Sequence, residues 1–158
     1  KQSPSLLIAN DAIEMFLLIQ DNSAEDSLRV ALQAYSTADL KLYQNKKEEA
    51  LQLFLAILQK HKGESIEEGT LFKVGKIYEE KGDFNKALTY YQNILDNHKD
   101  GIYKDEALYF SAEIYRKHLL DNEKAKALYE KVVLEHPDSL YYTESRKQYR
   151  TLRGDTTI

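Results

Sequence analysis

Residues 71–95 read LFKVGKIYEEKGDFNKALTYYQNIL. Leu71, Val74, Gly75 and Tyr78 recur at helical spacing, and Gly82-Asp83 ends one helix and caps the next. Phe84, Ala87, Leu88, Tyr91, Ile94 and Leu95 then resume the period, so the stretch is a helical hairpin. It is also one copy of a repeat. Ala50 and Ala87 are 37 residues apart, as are Phe54 and Tyr91, Ile57 and Ile94, and Leu58 and Leu95. The same step links Tyr35, Phe72 and Tyr109, then Ala38, Gly75 and Ala112, then Leu40, Ile77 and Ile114. A period of roughly 20 to 50 residues signals units that bury their apolar faces by stacking on neighbours.

Outward from this core, Ser3-Pro4 starts a leading helix that carries Leu7, Ile8, Ala12, Met15 and Ile19 until Asp21-Asn22. Helices are predicted from about Asp26-Ser27 to Gln44 and from Lys47 to Lys60, with a loop at Lys62-Gly63-Glu64-Ser65. On the other side, Leu108, Ala112 and Tyr115 precede a turn at Leu120-Asp121-Asn122. Ala125, Leu128, Tyr129, Val132 and Val133 follow, and Pro137-Asp138 closes the pair. A last amphipathic helix, with Tyr142, Ser145, Tyr149 and Leu152 on one face, stops at Gly154. About eight helices and no strand are expected.

The net charge of −4 offers no general attraction for phosphate backbones, so nucleic acid is not an expected partner. No apolar run reaches the roughly 18 residues that span a bilayer. Without cysteine there is neither a disulfide framework nor a thiolate metal site. The chain begins at lysine, which suggests a piece of a longer or processed protein.

Leu71, Val74, Gly75, Tyr78, Gly82, Phe84, Ala87, Tyr91 and Ile94 resemble the tetratricopeptide repeat (TPR) pattern almost position for position. The resemblance, over about residues 32 to 140, implies an all-α right-handed α-α superhelix, a TPR-like solenoid. Its expected organisation is a leading helix (1–22), three hairpins (23–63, 64–100 and 101–138), and a capping helix with tail (139–158). The family step is usually 34 residues; here it is 37 and then 38, with residues added in the loops. The stretched loops and the ending His136-Pro137-Asp138-Ser139 resemble bacterial cell-envelope TPR proteins, of the outer-membrane assembly lipoprotein or Tol-associated type. That likeness implies a periplasmic or outer-membrane-associated setting.

His61, His98 and His136 share one repeat position. Equivalent points on successive hairpins lie about 10 Å apart, too far to share a zinc ion, so helix ends explain them better than a metal. The pairs Glu48-Glu49, Glu67-Glu68 and Glu79-Glu80 sit in polar stretches beside lysines, as solvated helix faces do. No phosphate loop, nucleophile elbow or cofactor motif occurs, so no catalytic, metal or cofactor residue is assigned. Arg146, Lys147, Arg150 and Arg153 read first as part of a capping helix, with an anion-binding or docking stripe as the alternative.

The resemblance places the first helix of each hairpin along a concave groove. Tyr35, Phe72 and Tyr109 occupy one outward position there, with Asp39, Lys76 and Glu113 one turn later. Together with Leu42, Tyr43, Glu79 and Arg116 they form the expected partner-binding face, where rings anchor a peptide and charges set its register. The alternative is that the rings pack under the N-terminal helix or against the next hairpin. The expected function is a non-catalytic protein–protein interaction scaffold within a larger bacterial protein. A spacer or homodimerising module using the exposed end helices, and the regulatory tail of an enzyme, are the other readings.

Overall fold

The computed structural model describes residues 26–98 and 100–155. Seven helices follow in order: α1 (Asp26–Tyr43), α2 (Lys47–Lys60), α3 (Ile66–Glu80), α4 (Phe84–Asn97), α5 (Lys104–Lys117), α6 (Asn122–Glu135) and α7 (Tyr142–Arg153). No strand occurs among the described residues. The expected leading helix, 1–22, lies outside them. The final helix begins at Tyr142 rather than Ser139. The Ser139 hydroxyl and carbonyl accept the Tyr141 and Tyr142 N–H groups at 3.0 and 3.1 Å, which holds these residues in a turn first.

The chain divides into two compact units, residues 1–70 and 71–158, with the division inside α3. In the first unit α1 packs on α2. Ala31, Tyr35 and Ala38 are buried on α1, and Ala50, Leu51, Phe54 and Ile57 on α2. The turn between them passes through Asn45 in the left-handed region, at φ 58°. Lys46 precedes α2 without a side-chain cap, and Lys41 reaches across to Glu49 at 2.7 Å instead.

The second unit repeats one design twice. Ala87, Tyr91 and Ile94 on α4 are fully buried, and so are Ala125, Tyr129 and Val132, each 38 residues on. Burying one such large side chain contributes about 1.5–3 kcal/mol, so these rows are what the period encodes. Each second helix is capped alike. Asp83 accepts the Lys86 N–H at 3.3 Å and Asp121 accepts that of Lys124 at 3.0 Å. The turns before them cross the left-handed region at Gly82 and at Leu120, φ 77° and 54°. Finally α7 packs on α6 and sets Tyr149 and Leu152 against the Ala112–Ala125–Tyr129 cluster.

The two hairpins close on different small residues. A Cβ placed on Gly75 would lie 2.5 Å from the Tyr91 ring, inside any real contact, so only glycine allows α3 and α4 to approach this closely. At the equivalent place α5 carries Ala112, packed with Tyr129.

His61, His98 and His136 each follow directly on a helix end. Their backbone N–H groups, not their rings, close the last turn on Ile57, Ile94 and Val132. The His61 ring meets Glu64 at 3.0 Å. No group of three or more His, Asp or Glu side chains is placed to hold a metal ion among the described residues.

Candidate partner-binding face

The expected ring positions have different fates. Tyr35 is only 2% exposed and lies edge-on to Phe54 at 5.3 Å, inside the first unit. Its outward placement is therefore corrected: α1 turns this ring toward α2, where burial outweighs exposure. Asp39 and Leu42 are partly buried on the same helix, whereas Tyr43 is 90% exposed.

In the second unit the rings of α3 and α5 are partly covered by the residue that introduces the helix two places on. Phe72 stacks on Tyr103 at 5.0 Å, just before α5, and Tyr109 stacks on Tyr141 at 4.4 Å, just before α7. Tyr103 and Tyr141 are 38 residues apart, so this stack belongs to the repeat. Phe110 joins the two stacks, 5.9 Å from Phe72 and 5.3 Å from Tyr109. Such ring pairs add about 0.5–1.5 kcal/mol each beyond area burial. Phe72, Tyr109, Phe110 and Tyr141 still keep part of their surface open.

Charged groups surround these rings. Lys76 sets its ammonium 3.7 Å from the centre of the Phe110 ring and pairs with Glu79 at 3.0 Å. Tyr91 donates its hydroxyl to Glu79 at 2.8 Å. One repeat on, the signs are reversed. Glu113 stands where Lys76 does and Arg116 where Glu79 does. Arg116 donates to Glu113 at 3.0 Å and to the Tyr129 hydroxyl at 3.1 Å, while Tyr129 and Lys117 also bond Glu113.

Burial works against a charge on Glu113. The hydrogen bonds from Lys117, Tyr129 and Arg116 outweigh it and hold the carboxyl below the usual range. Burial, followed by the neighbouring Glu113 charge, pushes Tyr109 up to about 12. Tyr91 and Tyr129 are likewise raised, mainly by burial, so the hydroxyls stay neutral donors at ordinary pH.

The structure thus brings together Phe72, Lys76, Glu79, Tyr109, Glu113 and Arg116. Tyr35, Asp39, Leu42 and Tyr43 belong to the other unit. Sequence reasoning passed over Tyr103, Phe110 and Tyr141. The 38-residue step between Tyr103 and Tyr141 was the available signal, and Phe110 had none beyond adjacency to Tyr109. A separate groove of about 660 Å³ runs between α4 and α6 over Ser111 and Tyr115, and contains none of the expected face residues.

Paired helices with small residues at their closest approach, restated at a fixed step, define a helical-repeat protein with an aromatic and charged face. The tetratricopeptide repeat family model matches residues 70–101 and 106–139, which supports the TPR family. No curated protein matches the chain. TPR repeats generally mediate protein–protein interaction and are typically non-catalytic. No helix among the described residues is long and apolar enough to cross a membrane.

Proposed function

We propose that the chain is a non-catalytic interaction scaffold, and that a partner segment lies along the α3 and α5 face of the second unit. One observation carries this reading: partly open rings flanked by two charge pairs of opposite order. Phe72, Phe110 and Tyr109 would supply apolar anchors. Lys76–Glu79 and Glu113–Arg116 would set the register of a partner's charges between those rings. We place this scaffold within a larger bacterial cell-envelope protein, on the likeness of its stretched loops to those of such repeat proteins.

Photocrosslinking from position 76, compared with position 89 on α4, tests the reading. The expected result is a partner trapped from position 76. The purified partner should then bind at least ten-fold more weakly to Lys76→Glu, whose circular dichroism should match the wild type. Crosslinks arising only from position 89 would overturn it.

A second reading, self-association through α1, has its own observation: Val30, Leu40 and Tyr43 are 60%, 53% and 90% exposed. Light scattering should then report a dimer that Tyr43→Ser dissociates. A wild-type monomer throughout the concentration range sinks this reading.

A further inference from the structure

α7 carries four basic side chains, Arg146, Lys147, Arg150 and Arg153, against one acidic, Glu144, in a chain of net charge −4. Its inward side is settled: Ser145 is fully buried, and Tyr149 and Leu152 pack on the Ala112–Ala125–Tyr129 cluster. Arg146, Arg150 and Arg153 stand 37 residues after Tyr109, Glu113 and Arg116. They therefore continue the same helix positions one step along the repeat. Arg146, Lys147 and Arg150 line a shallow cleft of about 230 Å³ with Thr143, Thr151 and Asp155.

That cleft already holds one carboxylate. Gly154, at φ 87°, turns the chain back, and the Asp155 N–H bonds the Arg150 carbonyl at 3.0 Å. The Asp155 carboxylate then meets the two guanidinium nitrogens of Arg153, one of them at 2.8 Å, and Arg150 at 3.6 Å. Such a guanidinium fork holds a carboxylate through two parallel N–H donors. Arg146 and Lys147 differ. Both are exposed, and among the described residues neither side chain has an acidic partner. Among the described residues, two exposed cations without an ion-pair partner therefore stand beside a seated carboxylate.

We propose that this cleft is a carboxylate-binding subsite for an acidic peptide segment, with Asp155 an internal carboxylate that competes for Arg150 and Arg153. The peptide occupant rests on the partner-segment reading above, and the subsite names the chemistry of one end of that segment. From position 146 to 153 the helix rises about 10 Å, which about three extended residues cover. A run of three or four acidic residues therefore fits. The Asp155 carboxylate already seated on Arg150 and Arg153 favours a carboxylate occupant over a polyphosphate in the same place.

Fluorescence anisotropy on the whole chain tests this. The probes are a labelled octapeptide with four consecutive glutamates, its glutamine counterpart and labelled octathymidine. The glutamate peptide should bind more tightly than both others. Arg146→Glu with Lys147→Glu should weaken it at least ten-fold, and the milder glutamine pair about three-fold, with unchanged circular dichroism. Asp155→Asn should tighten it about three-fold. Glu135→Gln, an equal charge change on α6, should leave it within measurement error. Glutamate binding that survives the Arg146 and Lys147 changes, an Asp155→Asn effect no larger than that of Glu135→Gln, or equal binding of octathymidine would each overturn the proposal. Lys76→Glu separates the two readings. If it spares the glutamate peptide while Arg146→Glu does not, the subsite stands whatever happens to the α3 and α5 face.

Discussion

The hairpin α3–α4 and the hairpin α5–α6 are built from the same positions and tuned in opposite ways. The first closes on glycine, turns on glycine and orders its charges lysine then glutamate. The second closes on Ala112, turns on Leu120 and orders its charges glutamate then arginine. In both, the tyrosine of the second helix reaches back to the charge pair. Packing positions are therefore held in common, while the exposed pattern is free to change. That freedom lets one scaffold vary its exposed charges from one hairpin to the next.

The largest effect should come from removing the shared rings. Phe72→Ala and Tyr109→Ala should each cost about 2–3 kcal/mol in urea unfolding, below the 3–5 typical of fully buried rings because both stay partly open. A loss under about 1 kcal/mol would show that the stacks on Tyr103 and Tyr141 do not brace the hairpins.

Gly75→Ala attacks the close contact with Tyr91 that glycine allows. Overpacking against Tyr91 costs about 1–3 kcal/mol, and the gain in helix propensity returns about 1. A net loss of about 1 kcal/mol is expected, recovered in part by adding Tyr91→Leu. A stabilised Gly75→Ala variant would mean that the Tyr91 ring can move aside without cost.

The hydroxyls give a smaller contrast. Tyr129→Phe removes bonds to both Glu113 and Arg116 and should cost about 1–1.5 kcal/mol; Tyr91→Phe, with one bond to Glu79, should cost about 0.5–1. Equal losses would erase the distinction. Glu113 adds a pH dependence. Its folded pKa lies below the ordinary 4.5, so its contribution is present above that value and is lost as pH falls through the folded pKa. Thermal melts between pH 6 and 3 should therefore decline less steeply in Glu113→Gln than in the wild type.

The smallest effect belongs to the turns. Leu120 is 77% exposed and sits in the left-handed region, which costs a non-glycine residue about 1–2 kcal/mol. Leu120→Gly should relieve this at an entropic cost of about 0.5–1 kcal/mol, leaving a gain of about 0.5 kcal/mol. A destabilised variant would show that the Leu120 side chain contributes packing after all.

Much of the fold was legible because helical repeats write it locally. The rows Ala87–Tyr91–Ile94 and Ala125–Tyr129–Val132 appear in the sequence at the spacing at which they are buried. The caps Asp83 and Asp121 follow from the same local chemistry. The ring positions were not legible in that way. Tyr35, Phe72 and Tyr109 share a repeat position, yet the first is buried on Phe54 and the others lie under tyrosines about thirty residues on. A shared position fixes the face of a helix, and whatever packs against that face fixes its exposure.

The helices, their turns and the small residues at which they close can be read from the order of residues, because each depends on contacts within one hairpin. The tertiary structure alone decided which rings stay open, which charges already have partners, and that Asp155 folds back on Arg153 while Arg146 and Lys147 remain exposed. The physical reason is range. Backbone propensity and apolar period act over a few residues, whereas exposure and charge pairing depend on groups that folding brings together from distant parts of the chain.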